Sequence, residues 1–189
     1  MRHFKATNGK SFKVFISDNA EVLILGGISV IAIICGMIFS VSVKDIFELN
    51  SVSTPPILRL FLDTFIEISL YVFLIFFCGT SSVGFISPAV LAFRGFYMGC
   101  AIKSVDFNTD LSVYTLSIMP YIVLTFALLI QISKHSISLS LRMFRMCTGS
   151  SASDLSVSFR RFILVCGISI VISAAISFIY ALIYSFLLM

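Results

Sequence analysis

The chain has no tryptophan, only two histidines and four prolines, and little charge: Asp, Glu, Lys and Arg make up 12% of its 189 residues. A water-soluble domain keeps about a quarter of its residues charged to solvate its outside. This chain cannot close a polar surface around itself, which argues against a soluble enzyme, a nucleic-acid-binding module and a disulfide-stapled secreted domain. The cysteines, at positions 35, 78, 100, 147 and 166, form no Cys-x-x-Cys pair and stand mostly in or against apolar runs. Neither a zinc nor a disulfide framework is expected from that spacing. They read as small apolar packing residues. No cleavable leader is expected either, because the first apolar run exceeds the ~7–15 residues of a signal-peptide core and no small-x-small site follows it.

What is present is apolar length. Hydrophobic residues are 59% of the chain, and the mean hydropathy is +1.09. An α-helix needs ~20 apolar residues to cross ~30 Å of hydrocarbon. Val22 to Val43, Leu111 to Ile132 and Phe162 to Met189 each supply that length without a charge. In lipid every backbone N–H and C=O has to be satisfied within the segment, so these runs are predicted helices. The run from Ile68 is harder to read, because Gly79-Thr80-Ser81-Ser82-Val83-Gly84 and then Pro88 interrupt it.

The distribution of Lys and Arg decides that case, since basic loops stay cytoplasmic. Arg2, Lys5, Lys10 and Lys13 precede the first run, and Lys134, Arg142, Arg145, Arg160 and Arg161 face only Asp154 between Ser133 and Arg161. Between Lys44 and Glu67 the acids Asp45, Glu48, Asp63 and Glu67 outnumber Lys44 and Arg59. Both basic segments fall on one side only if the chain crosses twice between Ile68 and Asp110. The expectation is an all-α, polytopic membrane protein forming a single helical domain with five spans, at about 22–43, 68–86, 88–105, 111–132 and 162–189. The N-terminus would be cytoplasmic and the C-terminus extracytoplasmic, with a short Gly/Pro-broken hairpin between the second and third spans.

This topology places Arg94 inside a span, about two turns from the hairpin. An intramembrane charge costs ~2.5 kcal/mol or more unless it snorkels or finds a partner. Nearness to the hairpin end favours a side chain reaching back to the interface. The other reading is an interior ion pair, or a site that meets a partner or substrate. Gly95 and Gly99 form a G-x-x-x-G that allows close helix approach, expected within the bundle rather than at a dimer seam. Pro120 opens the hydrogen-bond ladder of the fourth span and is expected to kink it.

Ser53-Thr54-Pro55-Pro56 reads as a helix start. Arg59, Asp63 and Glu67 then recur at i, i+4 and i+8 opposite an apolar face. That pattern is an outer amphipathic helix running into the second span, with an Arg59–Asp63 pair on its solvated side. Asp63 and Glu67 have no catalytic company. Gly9-Lys10-Ser11 lacks the earlier glycine of a P-loop, since position 4 is Phe4, so no ATP site follows from it. His3 and His135 lack neighbouring ligands, and neither metal nor cofactor is expected. The tyrosines and phenylalanines read as lipid-facing and core-filling. Ser150, Ser151 and Ser153 mark a turn before the last span, with Asp154 as a helix cap.

Several of these segments, taken in order, resemble the stage II sporulation protein M family. They are the first span with Gly26, Gly27 and Gly36, the turn from Phe77 to Pro88, and Phe93-Arg94-Gly95-Phe96-Tyr97-Met98-Gly99. Ser117-Ile118-Met119-Pro120 and Ser138-Leu139-Ser140-Leu141-Arg142-Met143 continue the likeness. The outer loop is shorter than in the founding member and differs in its charges. The resemblance implies a non-enzymatic membrane scaffold that holds cell-wall hydrolases resembling stage II sporulation proteins D and P at the septal membrane during engulfment. On that view the outer helix surface, Arg59, Asp63 and Glu67, is the docking face. The alternative is the membrane component of an exporter, of the kind found with bacteriocin export or self-immunity. Arg142 and Arg145 would then belong to the cytoplasmic surface that docks a separate ATPase subunit.

Overall fold

The structure, a computed structural model, describes residues 4–39, 57–81, 84–104, 114–147 and 155–188. All regular structure among the described residues is helical. The five α-helices are α1 (Phe4–Phe39), α2 (Ile57–Thr80), α3 (Ser87–Ser104), α4 (Met119–Cys147) and α5 (Leu155–Leu188). A 3₁₀ turn, Gly84–Ile86, leads into α3, and a π-turn, Tyr114–Ile118, leads into α4. Five segments are long and apolar enough to span a bilayer: Asn19–Phe39, Ile57–Thr80, Gly84–Lys103, Leu116–Cys147 and Leu155–Phe186. The protein is a multi-pass helical membrane protein.

The helices sort into a triad and a pair. α2, α4 and α5 pack mutually, while α1 lies along α3 in the most extensive interface of the molecule. The triad supplies most of the core: Ile68, Val72 and Ile75 of α2, Leu129, Ile132 and Leu139 of α4, and Phe162 of α5 are all but inaccessible. The apolar residues left outside, such as Ile31, Phe73, Val123 and Val171, are a lipid-facing surface rather than a defect.

Small residues set the α1–α3 spacing. A methyl group on Gly99 would collide with the Ile33 carbonyl, and one on Gly36 with the Phe96 carbonyl. One on Gly95 would stand 2.9 Å from both the Ala32 Cβ and the Ser29 oxygen. In a bilayer, where the hydrophobic effect does not drive helices together, such backbone approach provides dispersion contact. The Cys100 thiol lies 3.5 Å from the Gly36 carbonyl oxygen in the same interface. Gly26 and Gly27, one turn or more back along α1, face open space.

The α2–α3 hairpin is held by side-chain oxygens. Thr80 Oγ1 and Ser81 Oγ donate to the carbonyls of Phe76 and Phe77 at 3.0 and 2.6 Å, as second donors beside the backbone, where Ser81 N–H also reaches the Phe77 carbonyl at 3.0 Å. Gly84 N–H donates to Ser140 Oγ of α4 at 3.0 Å, and Ser87 and Ser136 share a hydroxyl hydrogen bond at 2.9 Å. Added methyls on Gly79 or Gly84 would meet Phe162, Ser136 and Ser140. The turn is therefore seated on α4, while Phe162 of α5 closes against Gly79 at the end of α2. Pro88 occupies the first turn of α3, where its missing N–H costs nothing.

Several boundaries differ from those read in the sequence. The amphipathic stretch is continuous with the second span, so α2 starts at Ile57 instead of Ile68 and ends at Thr80. No helix breaker stands between those residues, and the one deep charge in it, Glu67, is neutralised within the bundle. α4 continues past Ile132 to Cys147 and α5 begins at Leu155. At 1.5 Å per residue they are about 44 and 51 Å long against ~30 Å of hydrocarbon. Their excess projects beyond the level of the hairpin. Pro120 stands in the first turn of α4, directly after the π-turn rather than within an α-helical run. Arg2, His3, Asp45, Glu48, the start at Ser53–Pro56, and Ser150, Ser151, Ser153 and Asp154 lie outside the described residues.

Candidate functional site

α2, α3 and α4 converge on Arg94. Its side chain is 1% exposed, and its guanidinium Nη1 donates to Glu67 Oε1. Nη2 lies 3.4 Å from the Tyr121 hydroxyl oxygen, and the guanidinium carbon stands 4.7 Å from the centre of the Tyr71 ring. Glu67 and Tyr71 are one turn apart on α2 and therefore share a face. Arg94 lies two turns into α3, and Tyr121 comes from the start of α4. Tyr121 in turn packs on Tyr180 of α5 at a ring separation of 4.6 Å, and Tyr180 on Tyr184 at 5.8 Å.

This geometry settles Arg94 as an interior ion pair and not as a side chain reaching back to the interface. The physical reason is the partner. A carboxylate on the neighbouring helix and a tyrosine ring offer the guanidinium a fixed counter-charge and a π-face at the depth where it emerges. Nε is left buried without a hydrogen-bond partner. Glu67 is only 33% exposed at its side chain. It therefore does not belong to the solvated face assigned to it with Arg59 and Asp63. Those two remain where the sequence puts them, exposed by 75% and 69% with 3.9 Å between charged atoms, a separation at which a solvated pair contributes little.

The reason for the misassignment is helical drift. Steps of four residues at 3.6 per turn advance by 40°, so Glu67 is rotated about 80° from Arg59 around α2. That rotation carries it to the edge of the buried stripe of Thr64, Ile68, Tyr71 and Ile75. The tyrosines went unrecognised because a tyrosine in an apolar run is indistinguishable from core filling. The Glu67–Tyr71 spacing is the one signal that could have joined them.

Arg94 also ties the two halves of the bundle together. α3 touches α2 sparingly, and the Arg94–Glu67 ion pair, the Arg94–Tyr121 contact and the Ser87–Ser136 hydrogen bond are polar links between the α1/α3 pair and the triad. Gly95 and Gly99 turn the same helix toward α1. Ser136 and Ser140, which no reading of the sequence singled out as a pair, receive the hairpin. Their four-residue spacing, with buried Ser133 one turn earlier, places all three on one face of α4.

At the hairpin end, Arg142 donates to Ser158 Oγ across α4 and α5 at 2.6 Å, while Arg145 is exposed. All five cysteines are free thiols, Cys100 and Cys166 buried and Cys147 exposed. An apolar cleft of about 440 Å³, lined by Leu116, Leu182, Ile183 and Phe186, opens beside the π-turn. Compared with protein-family models, curated proteins and solved structures, the chain matches none.

Proposed function

We propose that this chain is a non-catalytic scaffold of the cytoplasmic membrane that localises extracytoplasmic partners, with its N-terminus cytoplasmic and its C-terminus outside. The observation that supports it most is the use made of Arg94. The deepest charge in the bundle fastens α3 to α2 and α4 of the same chain, as a rigid anchor requires. The partner chemistry comes from the sequence resemblance: cell-wall hydrolases like stage II sporulation proteins D and P, brought to one membrane site during engulfment. Concentrating them there would act through effective concentration alone. The orientation rests on Lys134, Arg142, Arg145, Arg160 and Arg161, which gather at the hairpin end of α4 and α5. Arg59 and Asp63, at the opposite end of α2, are then the outward-facing docking surface.

A second reading, the membrane component of an exporter, is favoured by the projection of α4 and α5 beyond the hairpin. Arg142 bound to Ser158 stiffens that projection, and Arg145 presents a charge on it, which would suit an ATPase subunit. Copurification of the full chain from native membranes in mild detergent separates the two. Recovery of wall hydrolases supports the scaffold, and recovery of an ATP-binding subunit in their place overturns it. Reporter fusions before Met1 and after Met189 test the orientation, which fails if both report the same face.

A further inference from the structure

We propose that Lys134, His135 and Arg161 form a binding site for the phosphate headgroup of an anionic phospholipid. Lys134 and His135 are half-buried on α4, and Arg161 is exposed on α5. Lys134 and His135 are consecutive on α4, and the joint approach of Ser136 and Phe162 to Gly79, with the Arg142–Ser158 hydrogen bond beyond it, sets α4 and α5 in a register that brings Arg161 to the level of His135. Among the described residues the ion pairs are Arg59–Asp63 and Arg94–Glu67, so no described carboxylate neutralises Lys134 or Arg161. Two cations and an imidazole N–H match the charge and acceptor oxygens of a phosphodiester.

Depth and the surface below identify the source of that phosphate. The cluster adjoins Ser136 and Phe162, the residues that seat the hairpin glycines, and so lies at the membrane boundary. From Arg161, positions i+3, i+7 and i+11 are Leu164, Ile168 and Ile172, exposed by 57%, 50% and 42%. This stripe descends one face of α5 into the hydrocarbon directly below the guanidinium. A headgroup held by Arg161 therefore has its acyl chains laid along a surface of matching polarity, whereas a soluble phosphate would make no use of it. Basic pockets between spanning helices at such a boundary are recognised headgroup sites. The inference is independent of the proposed function and holds whichever face the hairpin end occupies.

Native mass spectrometry of the full chain released from mixed micelles tests it. The micelles carry phosphatidylglycerol and phosphatidylcholine of identical acyl chains. Wild-type protein should retain phosphatidylglycerol about thirty-fold over phosphatidylcholine, given roughly 1 kcal/mol for each of the two boundary cations. Equal retention of the two lipids overturns the proposal without recourse to any variant. The preference should disappear in Lys134→Gln/Arg161→Gln and persist in Arg145→Gln, and its persistence in the double variant would also overturn it. Inorganic phosphate that displaces phosphatidylglycerol at millimolar concentration would assign the site to a soluble anion and overturn the lipid assignment.

Discussion

Glu67 of α2 and Arg94 of α3 face each other inside the bundle, 27 residues apart in the chain and joined by a direct hydrogen-bonded ion pair. Neither residue could be placed there alone. Arg94 in lipid without Glu67 would be a cost of several kcal/mol, and the pair converts that cost into a fixed orientation of two helices.

The two partners are unequal, and so should be their deletions. A carboxyl left alone can take up a proton and become neutral, but a guanidinium cannot lose one. Glu67→Leu should therefore destabilise more than Arg94→Leu, by about 3 kcal/mol or more. Glu67→Leu/Arg94→Leu should recover most of the loss. Thermal unfolding in mild detergent, read by a thiol-reactive dye on Cys100 and Cys166 in a Cys35→Ser/Cys78→Ser/Cys147→Ser background, measures all three. A double variant as unstable as the sum of the singles would show that the pair is not coupled.

The glycines of the first and third spans divide sharply. Gly36→Leu and Gly99→Leu drive side-chain atoms into opposing carbonyls and should cost about 1–3 kcal/mol through overpacking. Gly95→Leu should fall in the same class. A Cβ added at Gly26 or Gly27 meets nothing within 4 Å, so Gly26→Leu and Gly27→Leu should be tolerated. The same thermal assay ranks them. Equal effects across the set would refute the packing role of the α1–α3 contact.

At the hairpin, Ser140→Ala removes the acceptor for the Gly84 N–H and should destabilise by about 1 kcal/mol. Ser156→Ala, on the exposed side of α5, should be neutral. Limited proteolysis at the α2–α3 turn, compared between the two variants, reports whether the turn has loosened.

Thiol labelling in native membranes should follow burial. Cys147 should react with a membrane-impermeant maleimide, and Cys100 and Cys166 should not until the protein is unfolded. In sealed vesicles of known sidedness, Cys147 should label only from the cytoplasmic face. Labelling from the other face would reverse the proposed orientation.

Helical class, five spans and a turn near Gly84 were legible because lipid imposes local rules. A segment without charge and of sufficient length has to satisfy its own backbone, and no distant residue alters that requirement. The ends of helices were less legible. Ser133, Ser136 and Ser140 look like loop residues until the hairpin is seen resting on them, and Lys134 looks like a boundary until α4 is seen to pass it.

By itself, then, the order of residues determined how many times the chain crosses and which spans can approach closely, since Gly95 and Gly99 declare their spacing within a single turn. Only the tertiary structure decided what they approach, and what Arg94 pairs with. Those answers depend on the rotation of α2 about its axis and on the seating of one helix against another. Glu67 reads as a surface acid from its neighbours in sequence and becomes the half-buried counter-ion of Arg94 only through a neighbour in space.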